Sequence, residues 1–144
     1  MNITPNDRTT IKSIISEQLQ AFQQEDGDRA FFFASPTIQR QFQTPERFMQ
    51  MVRTAYPSVY RPRSVIFEDL AIADGQWVQP ILLMDSDGNV VRALYLMKRR
   101  PTHGWRIEGC VLVDVEEHFV DDDDDLDDDE DDDDDGYFID FDYS

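Results

Sequence analysis

One cysteine stands among the 144 residues. Cys110 therefore has no intrachain partner, so a disulfide framework and a thiolate metal cluster are both excluded. Histidine is nearly as scarce. His103 and His118 are separated by a turn and a whole strand, which is not a metal-ligand spacing, and His118 beside Glu116 and Glu117 offers no more than weak capture of a stray divalent ion. No metal and no other cofactor is expected. Long apolar runs are missing too: no stretch approaches the roughly 20 residues that cross a bilayer. The start MNITPNDRTT has neither the basic nor the apolar segment of a secretory leader. The expectation is a cytoplasmic protein with no membrane contact.

Basic residues are absent from the whole C-terminal part. Residues 1–113 carry 13 Lys+Arg against 12 Asp+Glu and so a net charge of +1, whereas residues 114–144 hold the other 19 acids and no base. The net charge of −18 thus belongs to an appendage, and the part before it is almost neutral. That part has apolar and aromatic material for one core, in a chain that is 40% apolar with ten Phe, and its length is one domain's worth.

The order of elements follows from periodicity. Thr4-Pro5-Asn6-Asp7 supplies a capping hydroxyl, a proline at the first helical position and an acid three residues after the cap. Ile11, Ile15, Leu19 and Phe22, with Ile14 beside them, then form one apolar stripe, which predicts a helix ending near 25–27. A second helix is predicted over 28–34, stopped by Ser35-Pro36, with a turn over 37–42. Thr44-Pro45 caps a third helix that should turn Phe48, Met51, Val52 and Ala55 inward before Tyr56-Pro57 breaks it. From Arg61 the pattern becomes β-branched and aromatic over 64–73, 76–84, 89–99 and 105–113. Asp74-Gly75, the run 85–89 and the run 101–104 separate these as turns. Three helices followed by four sequential strands predict an α+β layer: helices packed on one face of an antiparallel meander.

The segments IKSIISEQLQAFQQEDGDRAFFFASPTIQRQF, TPERFMQMV and VYRPRSVIFEDL resemble an uncharacterised bacterial family, a domain of unknown function numbered 4864. Over residues 8–113 the layout is also similar to the cone-shaped α+β roll of the nuclear transport factor 2-like superfamily. That resemblance implies a curved four-stranded sheet, and it implies pairing of two copies across the open sheet face. It implies no activity, because the superfamily holds isomerases, dehydratases, hydrolases and pure binding modules.

Polar residues that catalysis inside such a cone would need are Glu68 and Asp69 in the first strand, Arg92 and Tyr95 in the third, and Glu108 in the fourth. An inward carboxylate would have its pKa raised by desolvation and serve as a general base. Alternation puts Val65, Phe67 and Asp69 on one face and Ile66, Glu68 and Leu70 on the other, so one acid always points outward. Charge pairs on the solvent face, Arg92 or Arg106 with Glu108, are the simpler reading, and no catalytic residue is assigned. The sequence DSDGN at 85–89 fails as a calcium loop, because its glycine comes at position four and position twelve is Leu96. Phe31 to Phe33, Trp77, Tyr95 and Trp105 form an aromatic supply that would line a small-molecule pocket, the basis of the alternative reading as an enzyme or carrier.

Arg61 and Arg63, with Lys98, Arg99 and Arg100, are the basic clusters. Direct nucleic-acid binding is disfavoured by the overall charge, and pairing with the protein's own acidic tail is the expected use of these bases. Within 121–135, fourteen of fifteen positions are acidic, which predicts an extended, disordered segment. The last residues, GYFIDFDYS, change character. Tyr137, Ile139, Phe141 and Tyr143 alternate with Phe138, Asp140, Asp142 and Ser144, a strict period of two with one apolar face. Such a segment adds to an exposed sheet edge, this protein's own or a partner's. The predicted organisation is a domain at 1–118, a polyaspartate tether at 119–136 and an aromatic tip at 137–144. The function expected from it is non-enzymatic protein binding or assembly through Tyr137, Phe138, Ile139, Phe141 and Tyr143. A weaker third reading has the tail mimicking nucleic acid in a basic groove of a partner.

Overall fold

A computed structural model describes residues 3–115. Helices α1 (Pro5–Gln23), α2 (Gly27–Phe32), α3 (Pro36–Phe42), α4 (Pro45–Ala55) and α5 (Pro57–Tyr60) precede strands β1 (Ser64–Phe67), β2 (Ala71–Ala73), β3 (Gln76–Met84), β4 (Val90–Arg100) and β5 (Gly104–Asp114). The sheet is antiparallel throughout, ordered β1-β3-β4-β5, with β2 pairing β3 on the β1 side. The α+β reading, with N-terminal helices on an antiparallel sheet, describes this chain.

The α1 stripe falls as its spacing predicts: Ile11, Ile15, Leu19 and Phe22 are all buried, and Ile14 packs beside them. The helix opens with a full capping box, Asp7 N–H donating to Thr4 Oγ1 and Thr4 N–H to Asp7 Oδ2, each at 3.0 Å. Opposite this stripe, the inner face of the sheet supplies Ile81, Leu83, Ala93, Tyr95, Met97, Ile107 and Cys110. Each Ile, Leu or Met side chain of this set contributes about 1.5–3 kcal/mol on leaving water, before entropy is counted. Tyr56, at the end of α4, ties the helical layer to the far strand by donating its hydroxyl to the Cys110 carbonyl at 3.0 Å.

Three expectations need correction. Residues 37–42 are helical, not a turn. Ser35 caps them, its Oγ accepting from Ile38 N–H at 3.3 Å, and Pro36 occupies the first helical position. The turn is compressed instead into Gln43, whose φ of 71° and ψ of −41°, with Thr44 N–H bonded to the Phe42 carbonyl at 2.8 Å, make a strained γ-turn. In α4 the fully inward residues are Phe48, Met49 and Val52, while Met51 and Ala55 pack only partly against the core.

The segment 64–73 is two strands, not one, and the reason is Pro80 on the facing strand. Phe67 pairs with Ile81 and Ala71 with Val78, so three residues (68–70) oppose two (79 and 80). Glu68 N–H donates to the Pro80 carbonyl at 3.0 Å, but Pro80 has no N–H to return the bond. The buried Gln79 side chain takes that role, its Nε2 donating to the Glu68 carbonyl at 2.7 Å.

Candidate functional site

Cross-strand register decides which chemistry-bearing residues meet. Residues paired in antiparallel strands share a face. The inner face therefore carries the row Ile72–Trp77–Met97–Ile107 and, one step further along, Arg99 opposite Trp105. This end of the sheet holds a slot of about 410 Å³, walled by Ile72, Trp77, Met97, Trp105, Lys98 and Arg99, with Gln76 at its margin. The size is within the usual range of ligand sites, about 300–1,000 Å³. Ile72 is 55% exposed, and Gln76 Nε2 braces the floor by donating to the Met97 carbonyl at 3.0 Å.

Asp7 holds one wall in place. Besides closing the α1 cap, its carboxylate accepts from Trp105 Nε1 at 3.2 Å and from Arg99 Nη1 at 3.1 Å. The Thr4 backbone N–H and then the Trp105 indole hold its pKa below the usual carboxylate range, with Arg99 adding attraction. The Arg99 guanidinium also lies over the Trp105 ring, 5.4 Å from its centroid. The slot thus combines two indoles, two aliphatic side chains and a cationic rim. It suits an apolar or aromatic group that carries negative charge. Lys98, at the rim, is exposed and makes no ion pair among the described residues.

The sequence-named bases do not form one cluster. Ser64 pairs with Met84, whereas Met97 pairs with Trp77, so Arg61 and Arg63 lie at the opposite end of β3 from residues 98–100. Arg61 pairs with Glu25 at 2.7 Å, Arg99 with Asp7, and Arg100 with Glu108. The exposed Arg63 bonds to the Met84 carbonyl through its backbone N–H at 2.6 Å. The tip residues Tyr137, Phe138, Ile139, Phe141 and Tyr143, the tether and His118 lie outside the described residues.

Of the candidate catalytic groups Asp69 is exposed, and the others are engaged or buried. Glu68 points to the outer face and meets Arg92 in a fork, Nε–Oε1 at 2.8 Å and Nη2–Oε2 at 3.0 Å. Hydrogen bonding from Arg92 pulls the Glu68 pKa below its ordinary value, the opposite of what a general base needs. The partners are thus Glu68 with Arg92 and Arg100 with Glu108, not Arg92 or Arg106 with Glu108. Arg106 instead bonds the His103 carbonyl and stacks over Phe32, 4.6 Å from the ring centroid. Tyr95 and Cys110 are fully buried, and burial pushes both pKa values up. Among the described residues no group of three or more His, Cys, Asp or Glu gathers as a metal site, and no helix is long and apolar enough to cross a membrane.

Two further surfaces lie away from the slot. A hollow of about 480 Å³ between the α1–α2 turn and α4 is lined by Glu25, Asp26, Asp28, Glu46, Met49 and Arg53, a wall of acids on open surface. The outer sheet face has an apolar patch beside the Glu68–Arg92 pair: Val78, Pro80, Leu82, Leu94, Leu96 and Val111 are half-buried there, and Ile66 is 59% exposed.

The N-terminal helices packed on an antiparallel sheet define an α+β class of fold and name no reaction. The chain belongs to the family described as domain of unknown function (DUF4864), whose model matches residues 4–120. No curated protein and no solved structure matches it.

Sequence reasoning missed the slot. Trp77 and Trp105 stood out as aromatic supply, but only the register of β3, β4 and β5 brings them to one end of one face. Asp7 was legible as a cap, and nothing in its neighbourhood signals a second role 98 residues away in sequence.

Proposed function

We propose that this chain is a non-enzymatic, cytoplasmic protein-binding or assembly module. In this reading a nuclear transport factor 2-like domain presents an acidic tether tipped with an aromatic recognition strand. The observation that carries it is the two-part C-terminal sequence, an acidic run followed by alternating large apolar residues at 137–143. Backbone pairing to a sheet edge gives such a strand affinity, and alternate side chains give it specificity. The acids keep it soluble until it docks and speed encounter with a basic partner. Affinity capture with the full chain and with a chain ending at Val120 tests this directly. Loss of specific partners on truncation is expected, and an unchanged partner set refutes it.

A second reading rests on the slot, whose volume and cationic rim suit a small anionic ligand. It is the reading of a carrier more than of an enzyme, because Asp7, the carboxylate behind the Trp105–Arg99 wall, is fully used by Thr4, Trp105 and Arg99. Saturable binding of an aromatic carboxylate by the tail-less chain would favour it. Pairing of two copies across the apolar outer face is the expected assembly, and sedimentation of the full chain reads it out.

A further inference from the structure

We propose that the tip of this chain docks in cis in the slot between Trp77 and Trp105, so that the protein carries its own ligand. This rests on the reading of the tip as a recognition strand and names its resting site.

Chemical match is the first support. The slot offers apolar surface on Ile72, Trp77, Met97 and Trp105, rimmed by Lys98 and Arg99. The tip alternates Tyr, Ile and Phe with Asp140 and Asp142. A slot of about 410 Å³ takes side chains of the tip and not its whole length, which is how an edge-adding strand uses pockets. Here β2 offers the edge: its three residues are all exposed, Ile72 among them, and among the described residues it pairs only with β3.

Reach is the second support. The chain leaves the described residues at Val115, beyond the far end of β5, whereas Trp105 opens that strand. Ten residues of strand separate the two by about 33 Å. The roughly 20 residues between Val115 and the tip span at most about 70 Å fully extended, and as a flexible chain about 25 Å on average, more with self-repelling charge. The tether's average span thus falls near the distance required, the condition under which effective concentration is highest.

Charge distribution is the third. Asp85, Asp87 and Asp114 stand at the end where the chain exits, since Met84 pairs with Val90 and Val91 with Asp114, and they outnumber Arg63 and the Glu25-paired Arg61 at that end. Lys98, Arg99, Arg100 and Arg106 stand at the slot end. Asp7, Asp74 and Glu108 offset part of that positive charge, leaving Lys98 as the rim cation with no ion pair among the described residues. An acidic tether is repelled at its root and drawn toward the slot.

Trp77 and Trp105 are the chain's two tryptophans, and both wall the slot, so tryptophan emission reports this site alone. Acrylamide quenching is compared between the full chain and a full-length variant carrying Y137S, F138S, I139S, F141S and Y143S, which keeps length and charge. With an effective concentration on the order of 1 mM, a tip that binds as a free peptide at about 0.1 mM leaves the slot roughly nine-tenths filled. The variant's tryptophan is then expected to be more readily quenched, chiefly at Trp77, and a synthetic peptide of residues 136–144 is expected to restore protection at submillimolar concentration. Lys98→Glu in the full chain is expected to weaken protection, and added salt likewise. Identical quenching of the full chain and the tip variant overturns the proposal, as does protection that disappears on dilution, which would place the tip in a second copy. If quenching is identical while partner capture still depends on the tip, only the cis site fails and the recognition-strand reading stands. If capture is also indifferent to the tip, both fail.

Discussion

Gln79 is predicted to act as a substitute backbone donor. In an unbroken ladder, residue 80 would return a hydrogen bond to the Glu68 carbonyl, and proline cannot. Gln79 Nε2 makes that bond at 2.7 Å and also reaches the Pro80 carbonyl at 3.0 Å. Replacing Gln79 by Met keeps most of the volume and removes the donor. Leaving a fully buried carbonyl unpaired costs about 1–3 kcal/mol, and the half-buried Glu68 carbonyl falls toward the lower end of that range. Part of this is offset, since Gln79 Oε1 has no partner among the described residues and its own desolvation penalty disappears with it. A net loss of about 1–2 kcal/mol is expected, which at a urea slope of roughly 1–3 kcal/mol/M moves the midpoint by up to about 1–2 M. The decisive arm is the cycle with Pro80→Val, which restores a backbone N–H facing Glu68. The substitution should be nearly neutral or unfavourable alone and should recover much of the loss in the Gln79→Met background. A coupling of about 1 kcal/mol is predicted by urea unfolding of the four proteins. Additivity within about 0.5 kcal/mol would refute the substitution of side chain for backbone.

Four further outcomes follow from the same geometry. Tyr56→Phe removes the hydroxyl that satisfies the buried Cys110 carbonyl and should cost about 1–3 kcal/mol in denaturant unfolding. Glu68 and Asp7 both have folded pKa values held below their ordinary ones. Their contribution is therefore complete above the ordinary carboxylate range and lost as pH falls through the folded values, and Glu68→Gln should flatten the acid limb of a stability–pH profile. Cys110 should resist a disulfide reagent at neutral pH until the chain is unfolded, because burial raises its thiol pKa and blocks access. Gln43→Gly should relieve the positive φ of 71° and raise the unfolding midpoint, with a gain of about 1 kcal/mol that exceeds the small contribution of the exposed 2.7 Å bond from Arg47 to Gln43.

Local signals carried the helices where they were long or capped. The α1 stripe and the Thr4 and Thr44 caps could be read because each uses residues three or four apart. The seven residues of α3 make only two turns, too few for a period to stand out against a proline and a following γ-turn. In the sheet, strand positions were legible from β-branched runs, but the break at 68–70 depends on a proline in the facing strand. The candidate slot was the least legible feature, because Trp77, Met97 and Trp105 meet only through register. The acidic tail lies at the other extreme: its composition alone sets the net charge, and its terminal alternation is visible in nine letters.

In the proposed resting state the tip occupies the Trp77–Trp105 slot. Placing a photo-crosslinking benzophenone side chain at position 141 of the full chain and mapping the adduct by mass spectrometry tests it most directly. The account predicts an intrachain adduct within 72–77 or 97–99. Adducts confined to the outer sheet face, to the helices or to the far end of β5, or no adduct at all, would contradict it.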